Sequence, residues 1–398
     1  MSAQDRIRER IAATGRSAYG DEWAPSILSS APGRIELIGG HLDYNGGPVL
    51  AAAIDKQIII QAAVTGSNEI RAVFPDINPE TVHVVDPHDL LDWRIETGAG
   101  SPADFLRGVV AALLGRGMPI RTGIDLVAAG NLPFGVGISS SAALCVALTG
   151  LLSADQLGPR DLVLIAQEGE NRTGSPCGTM DQSASVHGQI IRFDGATTES
   201  IQIAADLADS LFVVANSGVV RSLATSVYPT RVRESQEALA LLRDRYSSEL
   251  ASPAAIPEAD LPKVLALLAD RPDLQSRVKH IITETARVQD AAAAVERRDW
   301  SAFGAIMTIG GRSSADDYGI GHPVVDELTA AALAHPAVRG ARIMGGGEGG
   351  AALLLIDADG FADLAEHLST VFYEPHGHQS SEMLIPCTIA SGATVRQM

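Results

Sequence analysis

A chain of 398 residues is longer than one hydrophobic core commonly serves, and 46% hydrophobic with 20% charged residues is a globular balance. The formal net charge of -18 argues against nucleic acid or anionic membrane as a partner, since both recruit basic surfaces. The three widely spaced cysteines, Cys145, Cys177 and Cys387, make neither a CxxC pair nor an even disulfide framework and are expected to be reduced.

The amino terminus mixes both charge signs without the apolar stretch of a secretory signal, so cytoplasmic residence is the expectation. No run approaches the roughly 18 apolar residues of a membrane span. A helix is predicted over residues 5–18, and RIELIGG and VLAAAIDKQIIIQAAV read as strands. Helices are predicted at 102–116 and 141–152, the second entered through a glycine and serine loop. Strands follow around 190–193 and 211–215. The second half is richer in helix, with 230–246, 261–269 and 278–298 built on strong helix formers such as ALALL and AAAAVERR. It closes on a strand around AALLLIDA. The loop-like stretch 251–262 lies between helices and is not read as a boundary. An α+β fold in two lobes, 1–200 and 201–398, is the expected organisation.

Four segments could carry chemistry. Residues 131–148, NLPFGVGISSSAALCVAL, set Gly135 and Gly137 ahead of three serines and a helix-forming run. Glycines let backbone approach an anion closely, and the unpaired amides at a helix start favour negative charge. Read alone, the plainer account is a serine-capped helix after a glycine turn. No GxxxxGK[ST] is present, which excludes a Walker-type site. Residues 168–182, EGENRTGSPCGTMDQ, place Asp181 after a proline and glycine turn, with Glu168 and Glu170 on the helix before it. One carboxylate beside a reacting hydroxyl orients or accepts its proton and another holds magnesium, although an isolated acid is more simply a cap or a solvated group. Cys177, in the same segment, reads as a small buried thiol.

Residues 31–47, APGRIELIGGHLDYNGG, gather Arg34, His41, Asp43, Tyr44 and Asn45 around glycines. Short polar side chains on a tight turn suit the fixed directions of sugar hydroxyls, and an arginine can stabilise charge on a transferred phosphoryl group. The alternative is a plain hairpin turn at Asn45-Gly46. Residues 341–356, ARIMGGGEGGAALLLI, are as well described by a flexible turn before a buried strand.

In this order and spacing, the four segments resemble the motifs of the galactokinase branch of the GHMP kinases: the signature GRxNLIGEHTDYNGG, the phosphate loop, the stretch bearing the catalytic aspartate, and the carboxy-terminal glycine motif. Supporting similarity lies in GVVRSLATSVYPTR at 218–231 and IPCTIASGA at 385–393, so the resemblance runs from about residue 30 to the end. It implies a two-lobed GHMP kinase fold with the active site in the cleft between lobes, using ATP and magnesium to phosphorylate the anomeric hydroxyl of a sugar. Asp181 would be the catalytic carboxylate and Arg34 its electrostatic partner. Gly40, His41, Asp43 and Tyr44 would line the sugar pocket, Tyr228 would pack on the ring, and Gly346 and Gly347 would close over the substrate end. Gly135, Val136, Gly137, Ile138, Ser139, Ser140, Ser141 and Ala142 would wrap the nucleotide phosphates. Ser141 and Glu170 would hold magnesium, with Glu168 as a substitute because the turn before Pro176 is one residue shorter than usual. The implied partners are sugar and ATP, on a monomer or weak homodimer.

Two departures bear on the substrate. Where the family has glutamate in GEHTDY this chain has Gly40, which removes a carboxylate that the family uses on the far hydroxymethyl group of galactose. The expectation is that this opens space there and relaxes the choice of sugar. Gly39-Gly40 and GRSSADDYGIG at 311–321 look more like arabinose kinases, and galacturonate is an alternative if a cation such as Arg221 reaches the space. The signature asparagine is Glu36, for which the sequence offers no account. A non-catalytic sugar sensor on the same scaffold is the rival reading, opposed by the retained serines and Asp181.

Overall fold

The computed structural model describes residues 3–95, 100–133, 135–154, 156–174, 177–220 and 227–398. The chain opens with α1 (Ala3–Tyr19), β1 (Ile27–Ile38), β2 (Pro48–Val64), β3 (Ile70–Phe74), β4 (Asn78–Val85), α2 (Pro102–Gly115) and β5 (Ile124–Gly130). Then come α3 (Ser140–Leu152), α4 (Pro159–Asn171), α5 (Met180–His187), β6 (Ile190–Asp194), β7 (Ser200–Ile203) and β8 (Ser210–Asn216). The helical stretch is α6 (Tyr228–Arg245), α7 (Leu261–Leu267), α8 (Pro272–Glu296), α9 (Trp300–Asp316) and α10 (Pro323–Leu333). The end of the chain is β9 (Val338–Ile343), β10 (Ala351–Asp357), α11 (Phe361–Leu368), α12 (Ser380–Met383), β11 (Leu384–Cys387) and β12 (Thr394–Gln397).

The first sheet runs β12-β1-β2-β5-β3-β4, with β6 added on β2 and β7 on β6. The second runs β11-β8-β10-β9. Alternation along β1 and β2 gives the first sheet two apolar faces. On one, Ile7 and Ile11 of α1 pack against Leu28, Ile59, Val73 and Val127. On the other, Ile27, Ile35, Ile58 and Ile60 join residues of α2, α3 and α4 in a core that continues into the second sheet through Phe212 and Leu354 and into α8 through Val288. A smaller cluster ties α6, α7 and α8 together at Leu242, Val264 and Val278. Helix α2 starts where Ser101 and Asp104 cap each other reciprocally and Pro102 fills the first turn. Helix α3 is apolar almost all round because nearly every side is buried.

The predicted helices and strands are present with ends moved by a few residues, α8 starting six residues earlier than its periodicity suggests. The terminal strand β12 leaves the second half of the chain and pairs with β1 from Ile27 to Ser30, so the two sheets do not divide at residue 200. Among the described residues no helix is long and apolar enough to cross a membrane.

Candidate active site

The pairing of β1 with β2 shifts register between Pro32 and Arg34 and again between Glu36 and Ile38, while Arg34, Ile35 and Glu36 oppose Ala53, Ala52 and Ala51 in regular order. Arg34 and Glu36 therefore point to the same face, and the flanking irregularities aim that short piece of strand. The Arg34 amide donates to Ile138 O at 3.1 Å, and its guanidinium donates to Gly137 O at 2.7 Å, fixing the loop before α3. The same guanidinium grips Asp181, Nε to Oδ1 at 2.8 Å and Nη2 to Oδ2 at 2.7 Å. Asp181 lies in the first turn of α5. The Ser139 hydroxyl donates to Asp181, leaving its backbone for the role expected of this loop at the phosphates.

Gly135 and Gly137 take positive φ of 77° and 79°, while the side chains of Val136 and Ile138 are buried and anchor the loop between them. This loop thus offers backbone rather than side chains. No side chain caps the first turn of α3, where the amides of Ser140, Ser141 and Ala142 begin a helix and have no partner within it. Beside them Ser141 Oγ donates to Glu170 Oε1 at 2.6 Å, and Gln182 Nε2 donates to Glu170 Oε2 at 2.6 Å. Burial pushes the Glu170 carboxyl up to about 7, with the Asp181 charge adding to it against the hydrogen bonds from Ser141 and Gln182. A buried carboxylate held only by neutral donors, near a second carboxylate, suits a hard cation with oxygen ligands. Ser141 and Glu170 thus fit magnesium. Glu168 does not share this position, because Arg116 and Arg172 bind it at 3.0 and 2.9 Å.

The turn after β1 is held in unusual backbone. Gly39 has φ 100° and His41 φ 64°, a region that costs a residue with a side chain unless its surroundings impose it. They do so here: Gly39 N donates to Glu284 Oε1 at 3.0 Å, and His280 Nε2 lies 3.2 Å from Gly40 O. Asp43 opens a short 3-10 turn. Its carboxyl is pushed up to about 7, by burial first and then by the charges of Glu36 and Asp181. His41 Nδ1 meets Tyr44 Oη at 2.8 Å, and Tyr44 Oη meets Tyr318 Oη at 2.9 Å. Tyr44, expected to answer sugar hydroxyls, spends its own within the protein. Tyr228 completes the ring cluster, with centroids 5.5 Å from His41 and 5.4 Å from Tyr44. Asn45 is a brace rather than a hairpin tip, donating to His41 O at 2.7 Å and accepting from Ser235. In the carboxy-terminal glycine segment, which includes Gly346 and Gly347, Glu348 N donates to Ile320 O at 2.9 Å and the Glu348 carboxylate accepts from Val227 N at 2.6 Å. The segment thereby touches the flanks of both Tyr318 and Tyr228.

The space expected beside Gly40 is filled. A Cβ built there would lie 2.7 Å from Arg342 Nη2 and 3.2 Å from Glu36 Oε1, and these two groups form a buried ion pair at 3.0 Å. The glycine does not open a void on that side, and Glu36 acquires a partner that the sequence left unexplained. Arg221, the suggested cation, lies outside the described residues. Arg342, Tyr318, His280, Glu284 and Gln182 are the site residues that motif reading missed; the first four lie far in sequence from the groups they hold, whereas Gln182 stands only twelve residues from Glu170, at the end of a segment read for its acids.

The three cysteines are free, and burial pushes the Cys177 thiol up, against a role as nucleophile.

Ser139, at the head of α3, hydrogen-bonds Asp181, so the uncapped start of that helix and the Arg34–Asp181 pair lie in one site, an arrangement that suits a small-molecule kinase of the GHMP type. Residues 104–189 match the GHMP kinases N terminal domain, residues 291–374 the GHMP kinases C terminal domain, and residues 16–64 the galactokinase galactose-binding signature. Galactokinase of Staphylococcus carnosus is 32% identical, over 90% of this chain and 92% of that protein. Human galactokinase is 31% identical, over 92% and 93%. The structure of Lactococcus lactis galactokinase complexed with galactose superimposes with a TM-score of 0.86 at 26% identity, covering 99% of this chain and all of that one. Methanococcus jannaschii mevalonate kinase, with a TM-score of 0.65 at 14% identity, shares the fold. The chain belongs to the galactokinase family of the GHMP kinases and is a sugar kinase that uses ATP.

Proposed function

We propose that this chain transfers the γ-phosphoryl group of ATP to the anomeric hydroxyl of galactose or a closely related galacto-configured sugar. The observation that carries this reading is Asp181, clasped by Arg34 and set beside the start of α3. Asp181 accepts or orients the proton of the attacking hydroxyl while Arg34 fixes the carboxylate and stabilises charge on the moving phosphoryl group. The backbone of 135–142 holds the donor phosphates. Ser141 and Glu170 hold magnesium, which when bound offsets the charge of those phosphates. Asp43 accepts sugar hydroxyls, His41 and Tyr228 form the wall against the ring, and Gly346 and Gly347 border the substrate end.

A second reading, L-arabinose, is favoured by one observation: Gly40 carries no side chain to meet a hydroxymethyl group, and Arg342 leaves no room for one. Galacturonate has less support, because Arg342 already donates to Glu36, Leu37 O and Ile343 O. The test is phosphorus NMR of ATP with galactose, L-arabinose, galacturonate and N-acetylgalactosamine in turn. A glycosyl 1-phosphate from galactose or L-arabinose is expected. ATP left intact with every sugar would dismiss the kinase reading and favour a sensor.

A further inference from the structure

We infer that Glu36, held in place by Arg342, is a sugar-binding and specificity-determining residue whose carboxylate accepts a hydroxyl at the end of the sugar remote from the reacting one. The inference rests on the sugar-kinase reading above.

Three features lead to it. The first is placement. Arg34 and Glu36 occupy alternate positions of one regular stretch of β1, so their side chains leave the same face roughly 7 Å apart. Arg34 takes hold of Asp181 at the reacting end. Glu36 stands one monosaccharide away along the strand. Asp43 is near both ends, since its carboxyl feels the charges of both Glu36 and Asp181.

The second is unspent capacity. An ionised carboxylate offers about four acceptor sites. Glu36 uses Oε1 on Arg342 Nη2 at 3.0 Å, and Oε2 accepts nothing among the described residues. The Glu36 side chain keeps 7% of its surface open, while that of Arg342 has none. An acceptor nearly withdrawn from water needs a donor, and a sugar hydroxyl that reaches the opening supplies it. Arg342 cannot swing into the pocket itself, because Nε and Nη1 are bound to Ile343 O and Leu37 O and Gly311 packs against its Cβ.

The third is what the neighbouring turn has given up. A side chain at position 40 would collide with this ion pair. Position 40 therefore contributes only backbone, and the carboxylate at that end of the pocket comes from the strand.

The test uses the full chain and the Glu36→Gln variant, with kcat and KM for galactose, L-arabinose and the mono-deoxygalactoses. Glutamine can still accept from Arg342 but loses the charge. kcat/KM for galactose or L-arabinose should fall about ten- to a hundredfold, as for a lost hydrogen bond to a charged group, with the KM for ATP unchanged. For the one deoxy sugar lacking the bound hydroxyl, wild type and variant should be equal. A variant that loses the same factor against every sugar, or loses nothing, overturns the inference. If Glu36→Gln does not fold, Gly40→Ala takes its place: its methyl displaces Arg342, and the same hydroxyl-dependent loss is expected, a uniform one overturning the idea. Wild type that phosphorylates no sugar sinks the kinase reading and this inference together, whereas active wild type with a sugar-blind Glu36→Gln sinks this inference alone.

Discussion

Arg34 and Asp181, 147 residues apart in sequence, meet through two parallel hydrogen bonds of 2.8 and 2.7 Å. The arginine side chain is 8% exposed and the aspartate 25%, so the pair is anchored on its inner side and open on its outer one. A fork-to-fork contact fixes orientation as well as charge. It holds the carboxylate edge-on to the guanidinium and leaves its outer side open, as the proposed contact with a substrate hydroxyl requires.

Asp181→Asn keeps an oxygen for Arg34 and nearly the same shape, so the fold should survive. A positioned base is worth about 10²–10⁴ in rate, and kcat should fall by about 10³ while the melting temperature moves little. Steady-state kinetics beside a thermal melt checks both, and turnover near that of wild type would remove Asp181 from the reaction.

Two glutamates separated by one residue should behave differently toward magnesium. Glu170 is buried against Ser141 and Gln182, whereas Glu168 is tied to Arg116 and Arg172 nearer the surface. Glu170→Gln should raise the magnesium needed for half-maximal rate at least tenfold, about 1.4 kcal/mol. Glu168→Gln should leave that requirement unchanged and cost stability of only ~0.5 kcal/mol, as partly exposed ion pairs do. A magnesium titration of both variants decides it; equal effects would mean that Glu170 is not the ligand.

Asp43 sets a pH dependence whose sign follows from its raised pKa of about 7. The folded protein holds this proton more firmly than the unfolded chain, where the value is near 3.9. The stability from that proton is present below about pH 4 and is lost as pH rises through 7. Glu170 is raised to the same region and adds to the trend. The melting temperature of Asp43→Asn should therefore fall less between pH 5.5 and 8 than that of wild type. Sugar should stabilise wild type more at pH 8 than at pH 6, because the ionised carboxylate is the stronger acceptor. Melts with and without galactose at these pH values test both, and a variant with the wild-type slope would assign the trend elsewhere.

The sequence made the local parts legible and the long-range ones invisible. A capped start at 101–104, a glycine and serine loop before an apolar helix, and the signature around Asp43 are written in neighbouring residues. Helix α9 was not read because Gly304, Gly310 and Gly311 lower its propensity. Those glycines answer tertiary demands: a Cβ on Gly304 would lie 2.4 Å from Arg339 O, and one on Gly311 2.5 Å from Arg342 Cβ. The same cause hid the sugar-side scaffold. Glu36 finds Arg342 across 306 positions and Gly39 finds Glu284 across 245, so an acid in the signature and a bare glycine looked unrelated until one arginine joined them. The space predicted beside Gly40 was wrong for this reason.

The buried carboxylate of Glu284 should be needed to shape the turn that carries His41 and Asp43, the residues proposed to bind sugar. It is fully buried, accepts from Gly39 N at 3.0 Å and pairs with Arg287 at 2.7 Å. Burial alone would push its carboxyl up, but His280, Arg342 and Arg287 together hold it below the usual range, so it stays charged where the enzyme works. Glu284→Ala leaves the Gly39 amide and a guanidinium without their acceptor, which for a buried pair costs about 3–5 kcal/mol. With the turn at Gly39 to His41 no longer imposed, the KM for sugar should rise. The KM for ATP should hold, because the phosphate loop is fixed separately by Arg34. Glu284→Gln restores an acceptor to Gly39 and should recover most of the sugar KM while regaining only part of the stability. Measuring both KM values and the melting temperature for the two variants separates these effects: a Glu284→Gln enzyme as poor in sugar binding as Glu284→Ala would show that charge, not the hydrogen bond to the turn, is what matters.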